Sequence, residues 1–179
     1  MLDRENTGLI VIDLQGKLAR LVHDSDTLIA NCEKLIKGAQ TLGLPIIWLE
    51  QNPEKLGPTI NSLAVLLEGQ QVIAKFSFDA GQEPNFIEAI QASNVDSWLV
   101  CGIEAHICIY QTAISLKASG FNVELVGDCI SSRTVDNKTL AINKLLNHGV
   151  DITGLEMCLY ELVKDCRAPE FKDILNLIK

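Results

Sequence analysis

Three residues of different chemical types, Cys108, Asp13 and Lys75, could together form a nucleophilic site. Cys108 follows the apolar run 98–101 and the chain-breaking Gly102, and it lies at the expected start of a helix. The helix dipole and the free backbone N–H groups favour an anion there, so this position predicts a thiol shifted towards the nucleophilic thiolate. A free intracellular cysteine is far more often a packing residue than a nucleophile, so the prediction depends on partners.

Asp13 and Lys75 are the expected partners, because each lies at or near the end of a short apolar run. A carboxylate can take the proton of a thiol, and an ammonium beside both can keep the carboxylate ionised and favour the thiolate. The backbone N–H groups of Glu104 and Cys108 are the candidate donors to an oxyanion. Singly, Asp13 is explained as a turn cap and Lys75 as a solvated cation. Together with Cys108 they predict an acyl-transfer hydrolase.

The elements that would position these residues are strands alternating with helices. The alternation specifies right-handed crossovers and a three-layer α/β/α sandwich with a mainly parallel sheet of about six strands. Ligands bind outside the carboxyl ends of such strands, where all three residues fall. The predicted strands are 8–14, 45–50, 71–75, 98–101, 121–128 and 150–153. The predicted helices are 25–42, 61–67, 84–90, 106–119, 137–148, 155–163 and 169–178, and the Pro- and Gly-containing segment 51–58 is expected to be irregular.

Composition and charge narrow the class of protein. The 179 residues, 47% hydrophobic and 21% charged, predict one folded domain over 1–179. Fifteen basic against 23 acidic residues give a net charge of −8, so we expect no nucleic-acid partner. No apolar run approaches the ~20 residues of a membrane span, and the first residues lack a signal-peptide pattern. Six cysteines without a C-x-x-C pair predict reduced thiols and a cytoplasmic protein.

Only three histidines are present, which bears on two alternative chemistries. His148 falls in the last turn of a predicted helix, and His106 is two residues from Cys108, so it is expected to point away from it. A histidine general base is therefore the weaker alternative to Asp13. His23, His106 and His148 form no pair with metal-ligand spacing, and no phosphate-binding glycine motif occurs, so neither a metal nor a cofactor is expected.

The segments 8–15 (GLIVIDLQ), 74–78 (AKFSF) and 101–113 (CGIEAHICIYQTA) resemble the isochorismatase-like cysteine hydrolases over nearly the whole chain. The segments 50–59 (EQNPEKLGPT) and 127–133 (GDCISSR) are most similar to its isochorismatase domain-containing branch.

This resemblance implies Asp13 as general base, Lys75 as the cation that tunes the pair, and Cys108 as nucleophile. It also implies a cis peptide bond between Ile103 and Glu104 that turns the Glu104 amide towards the oxyanion.

Two departures from relatives of known chemistry narrow the expected substrate. Nicotinamidases of this family carry an Asp-x-His metal site after the second strand, where this chain has residues 50–53 (EQNP). True isochorismatases lack the nucleophilic cysteine, whereas Cys108 is present. The expected activity is therefore neither metal-dependent nicotinamide hydrolysis nor isochorismate cleavage.

The resulting prediction is a hydrolase that cleaves an amide-type C–N bond of a small molecule through a Cys108 thioester. Phe76, Phe78 and Tyr110 are candidates for lining a pocket for a small, uncharged, partly apolar acyl group, although aromatic residues near a strand end are as often core. A homo-oligomer is expected, as in the family that the chain resembles. The alternative is a catalytically idle binding or assembly module, or a thiol redox sensor, since low-pKa cysteines beside lysine oxidise readily.

Overall fold

The computed structural model describes residues 1–179 and is built on one six-stranded sheet. All neighbouring strands are parallel, in the order β3-β2-β1-β4-β5-β6. This confirms the predicted fold class, and no predicted strand end is displaced by more than two residues. The strands are β1 (Thr7–Ile12), β2 (Ile46–Gln51), β3 (Val72–Lys75), β4 (Ser97–Gly102), β5 (Asn122–Ile130) and β6 (Asp151–Thr153).

Helices cover both faces of the sheet, because the side chains of β1 alternate between two apolar cores. Leu9 and Val11 pack in a core with α2, α8 and α9, whereas Ile10 and Ile12 pack in a second core with α5, α6 and α7. The helices are α1 (Leu18–Leu21), α2 (Ser25–Leu42), α3 (Pro53–Leu56), α4 (Asn61–Ala64), α5 (Pro84–Ala92), α6 (Tyr110–Ala118), α7 (Val135–Asn147), α8 (Leu155–Val163) and α9 (Phe171–Ile178), with a π-helical turn at Ala105–Ile109.

Segment 51–58 was predicted to be irregular, and this was wrong. Gln51 is the last residue of β2, and residues 53–56 form the short helix α3. Pro53 is compatible with a helix because it occupies the first turn, where its missing N–H has no intrahelical acceptor to lose. Gly57 ends the helix at φ 79°, a value that glycine adopts without steric cost. Pro and Gly therefore mark the two ends of a helix here.

The order of the strands reverses between β1 and β4, which are neighbours in the sheet although two strands separate them in sequence. Crevices for ligands form at such switch points, outside the carboxyl ends of the strands. Gly102 brings these ends close together: it adopts φ 122°, and a Cβ at this position would lie 2.0 Å from the Ile12 carbonyl oxygen. The next residue, Ile103, donates its N–H to that same oxygen at 3.0 Å. The chain leaving β4 is thereby held against the end of β1.

Candidate active site

Asp13 and Lys75 form a buried ion pair at the carboxyl edge of the sheet. Asp13 directly follows β1 and adopts φ 56°, a left-handed conformation that aspartate tolerates better than most residues. Lys75 ends β3, two strands away, and its side chain crosses the end of β2 to bring Nζ within 2.9 Å of Asp13 Oδ2. Both side chains are almost fully buried, at 2% and 0% exposure. A buried charge pair of this kind is far more costly to break than a surface salt bridge.

The Asp13 carboxylate keeps unused capacity to accept a proton. The Lys75 ammonium contacts Oδ2, whereas Oδ1 accepts no hydrogen bond. Buried carboxylate oxygens in native proteins nearly always accept one. An unpartnered oxygen at a switch point is therefore available to a proton from a neighbouring thiol or from a bound molecule.

Cys108 completes the group from the other side of the switch point. It lies in the π-helical turn between β4 and α6, with 7% of its surface exposed. Its Sγ is 3.9 Å from Gln51 Oε1, and the same oxygen accepts a hydrogen bond from Lys75 Nζ at 2.5 Å. The structure thus brings together the three residues that the sequence pattern singled out, with Gln51 among them.

The thiol of Cys108 is not shifted towards thiolate, contrary to the expectation from the start of a helix. Burial, and then the negative charge of Asp13, raise its pKa from 9.0 to about 12, while Lys75 lowers it less. Burial also raises the pKa of Asp13, and Lys75 opposes that rise. The expectation considered only the helix dipole and left out desolvation, which disfavours every isolated charge at this depth. The resting site therefore holds a neutral thiol.

The turn between Cys108 and β4 contains Glu104, whose N–H is a candidate oxyanion donor. The Ile103–Glu104 peptide bond is cis. The Glu104 N–H donates to no backbone or side-chain acceptor, so it is free to bind an oxygen. The Glu104 carboxylate accepts two hydrogen bonds from Arg133, at 2.9 and 3.3 Å, and the Ala105 N–H donates to Ser131 O at 2.8 Å. The segment after β5 thus holds this turn in place.

The remaining candidate residues lie further from the ion pair or at the surface. Phe76 and Phe78 follow Lys75 and are 67% and 54% exposed, so they do not enclose a pocket in the isolated chain. Tyr110 is half-buried at the start of α6, with Lys144 Nζ 4.9 Å from its ring centre. His106 is held by Ser132 Oγ at 3.0 Å from its Nδ1.

Two residues of the site, Gln51 and Arg133, were missed by reasoning from residue types. Gln51 is uncharged and was assigned to a loop, although its place between the strands of Asp13 and Lys75 was a usable signal. Arg133 is 29 residues from Glu104, and no local pattern pairs them.

No three or more His, Cys, Asp or Glu side chains are arranged so that they could hold a metal ion.

The other cysteines form a different group. Cys32, Cys101, Cys129 and Cys158 are buried in the core on the α2 side, and Cys166 is exposed. Their surroundings are those of packing residues, which distinguishes Cys108 from them.

No helix combines the length and the apolar character that a membrane span requires.

Comparisons with known proteins agree with this architecture. The model of the Isochorismatase domain matches residues 7–157. Isochorismatase domain-containing protein 1 of Salmo salar is 33% identical over 173 residues, which are 97% of this chain but only 61% of that protein.

Among solved structures, one described as MAR1 ribonuclease from Caenorhabditis elegans has a TM-score of 0.93 at 31% identity, covering 99% of this chain and 91% of that one. The YcaC gene product of Escherichia coli, described as an octameric hydrolase of unknown specificity, has a TM-score of 0.90. It is 22% identical, covers 99% of this chain and 94% of its own, and supports the fold alone. Since the family model spans most of the sequence, the chain belongs to the isochorismatase family.

Proposed function

We propose that this protein is a cysteine hydrolase that cleaves an amide-type C–N bond of a small molecule through a thioester on Cys108. The observation that carries the proposal is the convergence of Cys108, Asp13 and Lys75 at the switch point, where Oδ1 of the Asp13 carboxylate accepts no hydrogen bond. Packing alone does not explain a buried carboxylate and ammonium beside a thiol.

In the first half of the reaction, the neutral Cys108 thiol gives its proton to Asp13 as its sulfur attacks the carbonyl carbon of the substrate. The C=O electron pair moves onto oxygen, and the Glu104 and Cys108 N–H groups stabilise that oxyanion. When the C–N bond breaks, the proton on Asp13 passes to the leaving nitrogen. The products of this half are a free amine and an acyl group bound to sulfur.

In the second half, water attacks the thioester and loses a proton to Asp13. The C–S bond breaks, the carboxylic acid leaves, and the proton returns from Asp13 to the sulfur. Lys75 stays charged throughout and offsets the negative charge that moves between Asp13, the sulfur and the oxyanion. The cycle consumes one water and needs no cofactor.

Fewer observations support the substrate class than support the reaction type. We propose a small, uncharged, partly apolar acyl group, with Phe76, Phe78 and Tyr110 around the entrance. Exposed aromatic residues beside a buried site suit an apolar group that enters from solvent. We also propose a homo-oligomer, by analogy with the octamer named for the Escherichia coli neighbour.

We further propose that residues 1–179 act as one hydrolase domain in the cytoplasm. All site residues come from the edge of one sheet, and none of the six cysteines is in a disulfide.

Two other activities are weaker candidates. The Caenorhabditis elegans neighbour is described as a ribonuclease, but a net charge of −8 gives this chain no attraction for an RNA backbone. An idle binding module does not need a buried ion pair beside a thiol, with one carboxylate oxygen that accepts no hydrogen bond. A thiol redox sensor needs a thiolate, whereas burial raises the pKa of Cys108 to about 12.

The direct test is to incubate the protein with panels of small amides and esters and to measure acyl adducts by peptide mass spectrometry. We expect an adduct on Cys108 with the mass of the acyl group, sensitive to hydroxylamine and absent from Cys108→Ser. Cys101→Ala is the matched control, because it removes a buried thiol from the opposite core. Turnover that persists in Cys108→Ala would refute the proposal, as would cleavage of an RNA oligonucleotide with no amide or ester turned over. Turnover of charged amides only would refute the uncharged substrate class alone.

A further inference from the structure

Gln51 is a polar side chain of the site for which the proposed reaction has no use. It ends β2, between the strands that carry Asp13 and Lys75, and it is 8% exposed. Its Nε2 donates to the Phe76 carbonyl oxygen at 2.8 Å, which fixes the orientation of the amide and directs Oε1 into the site. That oxygen accepts from Lys75 Nζ at 2.5 Å and lies 3.9 Å from Cys108 Sγ.

The backbone of Gln51 is held as firmly as its side chain. The fully buried Gln15, two residues after Asp13, accepts from the Gln51 N–H at 2.7 Å and donates to the Gln51 carbonyl oxygen at 3.1 Å. The same Gln15 amide also donates to Gly57 O at 2.7 Å. The position of Oε1 is therefore fixed relative to the ends of β1, β2 and β3 together. Preorganisation of this kind lets an amide orient a neighbouring charged group.

The ammonium of Lys75 has three possible contacts inside the protein. They are Asp13 Oδ2 at 2.9 Å, Gln51 Oε1 at 2.5 Å and Ser77 O at 3.5 Å. Without Gln51, nothing on the β2 side would hold the flexible lysine side chain beside Asp13. In addition, an amide oxygen beside the sulfur favours the neutral thiol over the thiolate. The S–H group can donate a hydrogen bond to that oxygen, whereas the oxygen repels the negative charge of a thiolate.

We propose that Gln51 is a positioning residue: its amide oxygen holds the Lys75 ammonium on Asp13 and accepts the S–H of resting Cys108. The charged groups that act on the thiol are Asp13, from the end of β1, and Lys75, from the end of β3. Gln51 lies between them and is the neutral third contact. The effect on the thiol is independent of any substrate, whereas the effect on turnover rests on the proposed function.

The test measures the rate at which iodoacetamide alkylates Cys108 at pH 8, by peptide mass spectrometry, in Gln51→Met and Gln51→Glu variants. Gln51→Met is made in the double variant Asp13→Asn, Lys75→Met, because in the unmodified chain it would also release the Lys75 ammonium, which lowers the pKa of Cys108. Methionine removes the acceptor and keeps the length, so the rate rises about two- to threefold above that of the double variant. Gln51→Glu is made in the unmodified chain, where it keeps the shape and adds negative charge beside sulfur, so the rate falls at least about tenfold. Better access would raise the rate in both variants, whereas the two expected effects have opposite signs.

The control variant is Gln91→Met, which makes the same change at an exposed position of α5 and should leave the rate unchanged. If Gln51→Met does not fold, Gln51→Glu still tests the sign. Changes of the rate in the same direction in both variants, or no change in either, overturn the proposal. With an amide substrate in hand, Gln51→Met in the unmodified chain should lower kcat at least about tenfold with a smaller change in KM, because Lys75 loses its position. Alkylation rates that change as expected without any turnover would overturn the proposed hydrolase and leave the effect on the thiol intact.

Discussion

The sharpest prediction concerns the resting state of Cys108 and its alkylation by iodoacetamide at pH 8. A thiol with a pKa of 9.0 is about one-tenth thiolate at this pH, whereas one with a pKa of about 12 is about one ten-thousandth thiolate, a thousandfold difference. The more basic thiolate is intrinsically about twentyfold more nucleophilic, which leaves a net factor of about fifty. Cys108 should therefore react at least about fiftyfold more slowly than an exposed thiol.

The chain contains its own reference for this assay. Cys166 is exposed, so its alkylation in the same sample corrects for the concentration of active reagent at each pH. The rate at Cys108 should rise about tenfold per pH unit without a plateau up to pH 10, because its pKa lies above that range. If Cys108 labels as fast as Cys166 at pH 8, or reaches a plateau below pH 9, the resting site holds a thiolate and the reasoning from burial fails.

Substitution of the two charged neighbours gives the sign of each contribution. Asp13→Asn removes the charge that raises the pKa of Cys108, so its profile should move to lower pH. Lys75→Met removes the charge that lowers this pKa, so its profile should move to higher pH. Asp13→Asn should nonetheless lose turnover, because the base is gone. A shift of either profile in the opposite direction would show that the two charges do not act on sulfur as their positions require.

Three further predictions concern stability, measured by urea unfolding. Folded Cys108 keeps its proton to about pH 12, whereas the unfolded thiol loses it near 9.0. The free energy of unfolding should therefore fall as pH rises between these two values, by about 4 kcal/mol in total from this thiol. The variant Cys108→Ala should lack this part of the loss. Lys75→Met leaves Asp13 buried and unpaired, so it should lower the free energy of unfolding by roughly 3–5 kcal/mol. The double variant with Asp13→Asn should recover much of this loss. Equal losses in the single and double variants would contradict the prediction. Gly8→Ala places a Cβ 2.4 Å from the Trp98 ring and should lower the free energy of unfolding by about 1–3 kcal/mol. Added to Trp98→Leu, the same substitution should have almost no effect. An undiminished loss in that background would show that contact with the ring is not the cause.

Reasoning from residue types located the charged members of the site because parallel strands end at one edge. Asp13 was identified as the proton-accepting carboxylate and Lys75 as the tuning cation, both at the ends of apolar runs, and the sheet order places those ends two strands apart. The lysine side chain is long enough to cross that gap, so a contact could be expected before any coordinates. Sequence pattern was sufficient here because strand ends and side-chain length determine the contact.

The pattern gave the wrong direction for the pKa of Cys108, and it missed Gln51 altogether. A helix start predicts a stabilised thiolate only if the site is open to solvent, and burial at 7% exposure reverses that balance. Depth of burial comes from all elements packed together, so no local window contains it. Gln51 carries no charge, and its importance follows from its position between two other residues. The same holds for the pairing of Arg133 with Glu104, which depends on how β5 ends beside β4.

A neutral thiol beside a carboxylate that can still accept a proton is a coherent arrangement for the proposed hydrolase, which must wait for its substrate. A permanent thiolate at this depth would need continuous compensation by charge, and it would be open to oxidation. Burial raises the pKa of Asp13 as well as that of Cys108, so the carboxylate is a better proton acceptor than an exposed aspartate. In the proposed reaction, each deprotonation of sulfur protonates Asp13 beside Lys75, and the negative charge moves to the substrate oxygen without leaving the site. The raised pKa of Cys108 therefore argues for transfer of its proton during attack, and against a nucleophile ionised in advance.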